Sequence, residues 1–201
     1  MRSLIGSDIP LNSGCLKPLT IIIPENTILS PSKAAAVVGG NVETSQKLVD
    51  LILKPFQFVG CSQGTMNNFL FGNNNCCYYE TICGGSGAGE DFDGTTIQCH
   101  MTNTRITDIE TLEKTYPVIV CQFKEKKNSG GKGKHNGGNG VIRELQFTED
   151  VTVSLLSERR VFSGYGIKGG GNGSVGRNIL IDRDGISKNI GGKNTIQVHR
   201  L

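Results

Sequence analysis

The chain of 201 residues has no tryptophan, three histidines and three methionines, and aromatic residues make up only 6% of it. No apolar run approaches the ~20 residues that a bilayer-spanning helix needs, so no membrane span or membrane partner is expected. Residues 1–10 lack the continuous apolar stretch of a secretory leader, and the expected location is the cytoplasm (cytosol). Thiols there stay reduced, which is the state expected for the seven cysteines. Cys76, Cys77, Cys83 and Cys99 contain no C-x-x-C pair. Their spacing does not describe a zinc site, and any metal ligands are left unknown. An excess of one charge is missing as well. A formal net charge of +3 does not demand nucleic acid or an anionic surface as a partner. The Gly/Lys/Asn-rich stretch 124–140 lacks the interleaved aromatics used to bind single-stranded nucleic acid.

What the chain has in quantity is glycine, 28 residues. That share predicts many tight turns and close backbone approaches, not a helical bundle. Residues 19–24 form a β-branched run closed by proline and are expected as a strand. Leu48, Leu51, Ile52 and Phe56 fall on one helical face. They predict a helix over 42–54 with Asn41 as N-cap and Glu43 facing its positive end. Residues 56–61 read as a buried strand. A short capped helix is expected from Thr107-Asp108-Ile109-Glu110 and Leu112. Residues 118–123, 140–147, 151–156, 178–182 and 195–198 are strand-like, separated by Gly-rich or Asp-Gly turns such as Asp184-Gly185. The fold class is therefore mixed α/β (α+β), with a mixed α/β lobe over 1–117 and a β-rich lobe with Gly-rich turns over 118–201.

Three short runs are dense in hydrogen-bonding side chains, as a site for a small polar ligand requires. They are Ser62-Gln63-Gly64-Thr65-Met66-Asn67-Asn68, then Tyr78-Tyr79-Glu80-Thr81 leading into Gly84-Gly85-Ser86-Gly87-Ala88-Gly89, and then His100-Met101-Thr102-Asn103-Thr104-Arg105-Ile106-Thr107-Asp108. Gly60-Cys61-Ser62-Gln63-Gly64 also fits the G-x-S-x-G spacing of a nucleophile elbow. The alternative is that Ser62, Gln63, Asn67 and Asn68 exchange hydrogen bonds with an amide-like ligand, or satisfy their own turn. The glycine run 84–89 has no P-loop lysine and is followed by Glu90, Asp91 and Asp93, so it reads as a structural turn or a nest for a carboxylate. Among the carboxylates, Glu80, Glu158 and Asp108 are candidates for acid/base work. The competing reading for Glu80 and Glu158 is an ion pair with Arg105, Arg159 or Arg160.

Together with Gly39-Gly40-Asn41-Val42-Glu43-Thr44-Ser45-Gln46, these runs resemble the hydantoinase B/5-oxoprolinase family. The blocks stand in the family's order with short gaps. Gly137-Gly138-Asn139-Gly140-Val141-Ile142-Arg143-Glu144-Leu145 and Leu156-Ser157-Glu158-Arg159-Arg160 fit later blocks. The opening Asp8-Ile9-Pro10-Leu11-Asn12 looks most like the oxoprolinase branch. The family's upstream Asp/His block and its terminal glycine stretch have no counterpart here. Cys77 stands where glycine is usual, and Asn139 where aspartate is common. The resemblance thus implies the C-terminal part of a larger hydantoinase B-type domain, a fragment inactive by itself.

By that resemblance the whole enzyme is an ATP-dependent 5-oxoprolinase that opens the lactam of 5-oxoproline to L-glutamate, in the glutathione (γ-glutamyl) cycle. ATP and Mg²⁺ would be held mainly by a hydantoinase A-type half or subunit, and the full enzyme is expected as a homo-oligomer. His100 and Glu80 would handle protons. Arg105 would bind the substrate carboxylate through its planar fork. Asn103, Asn67, Asn68, Ser62 and Gln63 would orient the substrate's polar atoms. The alternatives are a hydantoinase-type or ketone-carboxylase subunit, and a non-catalytic fragment that only binds a partner subunit.

Overall fold

The computed structural model describes residues 10, 12–98, 102 and 105–200. The chain divides into two compact units, Met1–Val38 and Gly39–Leu201. In the first unit a 3₁₀ turn, Ser13–Leu16, is capped by the side chain of Asn12, which accepts from the Gly14 amide at 2.8 Å. The strand expected over 19–24 is not formed. Ile21, Ile22 and Ile23 are exposed, and the β contact among the described residues of this unit is the single bridge Thr27–Ser30. A β-branched run becomes a strand only where a neighbour completes its ladder and covers one face.

The second unit is mostly sheet with two short α-helices, the mixed α/β class expected. Strands β1 (Asn68–Gly72), β2 (Cys77–Thr81), β3 (Val118–Lys126), β4 (Gly140–Phe147), β5 (Val151–Leu156), β6 (Ile179–Ile181), β7 (Ser187–Asn189) and β8 (Lys193–Val198) follow in order. Four of them form an antiparallel sheet in the order β2-β1-β5-β8. This sheet draws strands from both sides of residue 117, so the two expected lobes share it. β3 and β4 pair separately, with a bulge at Val120/Gln122. β6 and β7 form a two-stranded ribbon closed by the predicted Asp-Gly turn. There Asp182 Oδ1 accepts from the amides of Asp184 and Ile186, and Gly185 takes a φ of +76°.

Burial explains the pattern. On β1 Phe71 is buried with Tyr78 of β2, Val118 of β3, Phe147 of β4, and Val151 and Val153 of β5. Leu112 of helix α2 (Ile109–Thr115) is fully buried against the same cluster. Asp108 caps α2 by accepting from the Thr111 amide at 3.1 Å, as its sequence predicts. Rings of Phe71, Tyr78, Tyr116 and Phe147 meet at 4.9–5.9 Å between centroids, in tilted and edge geometries that suit their quadrupoles.

Helix α1 (Ser45–Leu53) departs from expectation in an informative way. A π-helical turn, Gly40–Thr44, precedes it. Glu43 is turned into the protein, not toward the helix end, and the buried face consists of Glu43, Gln46 and Asp50. Leu51, Ile52 and Phe56 are 63%, 46% and 57% exposed. The apolar stripe is thus the outer face, because hydrogen-bond partners for the carboxylates lie inward. The strand expected over 56–61 is replaced by a 3₁₀ turn, Lys54–Phe56, and a left-handed Gln57 (φ +50°), with one bridge from Val59 to Gly89.

The glycine-rich segments 84–89, 129–140 and 164–176 and the short segment 94–98 connect the strands. They are joined by backbone bonds such as Gly60 N to Ala88 O (2.8 Å), Gly138 N to Ser86 O (2.9 Å) and Gly171 N to Lys132 O (2.7 Å). The backbones approach so closely that a Cβ on Gly87 would sit 2.0 Å from the Gly60 carbonyl oxygen, and one on Gly85 2.0 Å from that of Gly138. The run 84–89 is therefore a packed structural turn. Gly87→Ala should cost about 1–3 kcal/mol by chemical denaturation. Gly140→Ala, whose Cβ meets nothing nearer than 3.9 Å, should cost under about 1 kcal/mol. Equal costs would contradict this account of the glycines.

Candidate functional site

A cleft of about 980 Å³ opens in the second unit. Phe69, Leu145, Val153, Leu155 and Ile196 form an apolar wall, and the glycine segments a backbone wall. Ser62, Gln63 and Asn67 line it with polar atoms. These three come from one sequence block, held in place by residues of two others. Asn67 has a left-handed backbone (φ +47°), which asparagine tolerates better than most residues. Its side chain donates to the Ile82 carbonyl at 3.1 Å and accepts from Arg160 Nη1 at 2.9 Å. Ser62 Oγ accepts from the Gly64 amide at 3.0 Å. Gln63 donates to the carbonyls of Thr65 and Ile82, and its Oε1 has no partner among the described residues.

Glu43 organises the floor beneath these residues. Its Oε1 accepts from Thr65 Oγ1 (2.8 Å), the Met66 amide (3.2 Å) and Asn68 Nδ2 (2.9 Å). Its Oε2 is buried without a partner among the described residues. Burial pushes the carboxyl pKa up, against the lowering effect of the Thr65 and Met66 bonds. Asn68, expected at the substrate, has its amide fully engaged: it also donates to the Leu156 carbonyl (2.8 Å) and accepts from Tyr79 OH (2.8 Å). It is a joint between α1's entry turn, β2 and β5, and does not line the cleft.

A second buried cluster lies beside the first. Asp50 Oδ2 accepts from Arg159 Nη2 (2.8 Å) and from the Cys61 thiol (3.0 Å), and Oδ1 from the Ser62 amide (3.0 Å). Tyr165 OH donates to the Asp50 carbonyl. Burial, then the bond to Asp50, pushes the Cys61 thiol up to about 12. Cys61 is a hydrogen-bond donor at neutral pH, not a nucleophile. Ser62 Oγ is bonded to the Gly64 amide, and His100, the histidine that the elbow order would offer it, lies outside the described residues.

Glu80 is buried in an ion pair with Arg143, Nε to Oε1 at 2.6 Å and Nη2 to Oε2 at 3.2 Å. The partner is Arg143, not Arg105, Arg159 or Arg160. Tyr78 donates its one phenolic proton to Glu80 Oε2 (2.8 Å), leaving its oxygen to accept from Thr107 (2.8 Å). Glu80 thereby ties the block ending at Asp108 to the sheet. Glu158 is half-buried and bonds Lys193 at 2.5 Å, which holds its carboxyl below the usual range. Asp108 serves as the cap of α2. Arg105 is exposed and is not among the residues lining the cleft. His100 and Asn103 lie outside the described residues.

Sequence reasoning did not single out Asp50, Cys61 or Arg143, and treated Glu43 as a helix-end charge. Arg143 stood in a motif block and carried that one available signal. Asp50 and Arg159 are 109 residues apart, a separation at which no local pattern operates. Among the described residues no group of three or more His, Cys, Asp or Glu is arranged to hold a metal ion. Cys15, Cys61, Cys76, Cys77 and Cys121 are free thiols among the described residues.

The profile of the hydantoinase B/oxoprolinase family matches residues 1–200. 5-Oxoprolinase 1 of Arabidopsis thaliana is 54% identical over 98% of this chain and 16% of its own length. 5-Oxoprolinase of Dictyostelium discoideum is 53% identical over 100% of this chain and 16% of its own. The chain therefore spans about a sixth of the length of these relatives. Among solved structures, the ATP-dependent caprolactamase from Pseudomonas jessenii superposes with a TM-score of 0.76 at 21% identity, over 96% of this chain and 38% of that one. That likeness is one of fold.

The buried Glu43 sets a pH dependence. Its folded pKa lies above the unfolded value, so the native state binds more protons and stability is lost as pH rises from about 4.5 upward through the folded pKa. Glu43→Gln keeps an acceptor for Thr65, Met66 and Asn68 and removes the titration. Its melting temperature should gain on that of the parent as pH rises from 5 to 8. A difference constant across that range would show that Glu43 does not titrate in it.

Proposed function

This chain belongs to the hydantoinase B/oxoprolinase family, and on that premise we propose that it is the part of an ATP-dependent 5-oxoprolinase that holds the cyclic amide while its ring is opened to L-glutamate. The observation that carries this reading is the amide-bearing floor of the cleft. Ser62, Gln63 and Asn67 bring a hydroxyl and two carboxamides to a cleft that is also lined by apolar side chains, glycine backbone and cationic residues. A lactam offers one N–H donor and one carbonyl acceptor side by side, and a carboxamide complements both. Gln63 Oε1 has no partner among the described residues but is buried against Gly84, so the Ser62 hydroxyl and the Asn67 carboxamide are the groups this reading uses. The names of the relatives at 54% and 53% identity support the same substrate class.

In this reading Glu43 and Asn68 act as positioning residues, because they fix Thr65 and the backbone around Asn67. Glu80 is a positioning residue as well, through Arg143 and the Tyr78–Thr107 link. His100 remains the proposed proton carrier, with Asn103 beside it in sequence. The carboxylate-binding role expected of Arg105 is not carried forward, since its exposed side chain is outside the cleft lining. ATP and Mg²⁺ are assigned to a hydantoinase A-type partner half. The described residues supply no metal cluster, and the glycine turn 84–89 has its backbone packed against Gly60 and Gly138.

The test is ATP-dependent release of glutamate from 5-oxoproline. The folded chain should be inactive alone and active when mixed with a hydantoinase A-type half and the preceding hydantoinase B segment. No release from the complete mixture would contradict the proposal and favour a fragment that only binds a partner.

A further inference from the structure

Two cations, Lys126 and Arg160, converge on one four-residue stretch of the cleft wall, Val175-Gly176-Arg177-Asn178, which carries a third. The Lys126 ammonium donates to the Val175 carbonyl at 3.0 Å. The Arg160 guanidinium lies flat against Gly176, where a Cβ would meet its Nη1 at 2.7 Å, and it donates to Asn178 Oδ1 at 2.9 Å. Arg177 is the residue between. All three line the cleft that holds Ser62, Gln63 and Asn67.

Among the described residues, the bonds that Lys126 and Arg160 make are to neutral oxygens. Lys126 has the Val175 carbonyl, and Arg160 has the side-chain oxygens of Asn67 and Asn178 and the Glu158 carbonyl. Among the described residues none of the three has a carboxylate within ion-pair distance. The buried Arg160 Nε has no acceptor among them either. The two carboxylates that act on Arg160 electrostatically are engaged elsewhere, Glu158 on Lys193 and Glu43 on Thr65, Met66 and Asn68. Burial and then the nearby Arg177 and Arg160 charges lower the Lys126 pKa, as expected for like charges gathered without a counterion. Such a gathering is unfavourable by itself and becomes favourable when an anion occupies it.

We propose that Lys126, Arg160 and Arg177 form an oxyanion subsite of the cleft that takes a carboxylate or phosphoryl group of the bound ligand. The proposal deepens the oxoprolinase reading and rests on it only for the ligand's identity. Planar Arg160, fixed from behind by three neutral acceptors, supplies orientation. Lys126 and the exposed Arg177 supply charge. A cyclic amide bearing a carboxylate beside its ring nitrogen would place that group here while its N–H and carbonyl meet the amide floor. An uncharged lactam would use the floor alone.

Calorimetric titration of the folded chain tests this with three probes: 5-oxoproline, its uncharged ring analogue 2-pyrrolidinone, and inorganic phosphate. Lys126→Gln and Arg177→Gln are the variants, since Arg160 also holds Asn67 in place. The carboxylate form of the proposal expects 5-oxoproline affinity to fall about tenfold in each variant, with 2-pyrrolidinone unchanged. A fall for phosphate with 5-oxoproline unchanged supports the subsite and assigns it to a phosphoryl group. Unchanged affinity for both anions, or no binding of either by the parent chain, overturns the subsite. Phosphate binding that is lost in the variants, alongside no glutamate release by the complete mixture, leaves the subsite standing and removes the oxoprolinase reading.

Discussion

The carboxylate of Glu43 is the constraint on which the rest of the arrangement depends. Through one oxygen it gathers Thr65, Met66 and Asn68, and through Asn68 it reaches Leu156 and Tyr79. A buried carboxylate without such donors would be very costly. Its presence therefore dictates that the turn before α1 faces inward and that the block 62–68 wraps around it. Asp50, seven residues on, does the same for Cys61, Ser62 and Arg159. α1 is thus anchored by polar bonds along one side, and its apolar side chains face out. The inversion of the helix and the shape of the cleft floor have one cause.

The glycine segments add a second constraint. Backbones that approach to the distance where a Cβ would meet a carbonyl oxygen at 2.0 Å leave no room for side chains, so polar function is displaced to the few positions that carry them. They include the floor residues Ser62, Gln63 and Asn67, and the cations Lys126, Arg160 and Arg177. A wall of backbone also moves little on binding, which holds the two groups at a fixed separation.

Much of the fold was legible in the sequence, and where it was not the reasons are physical. β4 and β5 fall where alternation and flanking turn residues place them, as does α2 with its Asp108 cap. β1 and β2 were hidden because Asn68 read as a substrate-binding residue and Glu80 as a proton carrier, while their bonds to Glu43 and Arg143 connect segments 25 and 63 residues apart. The α1 periodicity was real, but a moment gives the direction of the apolar face only relative to the polar one. Which face is buried depends on donors elsewhere in the chain. For the site, the motif blocks contain Ser62, Gln63 and Asn67, which line the cleft. Glu43, Asp50 and the Lys126 cluster depend on tertiary convergence that no local pattern encodes.

The central claim is that one small anionic cyclic amide occupies the amide floor and the cationic stretch together. Mapping backbone amide chemical shifts of the labelled chain on titration with 5-oxoproline tests it most directly. The account predicts concerted shifts, with one saturation curve, for residues 62–68 and 175–178, and none for residues 182–186 at the β6–β7 turn. Shifts confined to other segments, or two groups saturating at different concentrations, would contradict it.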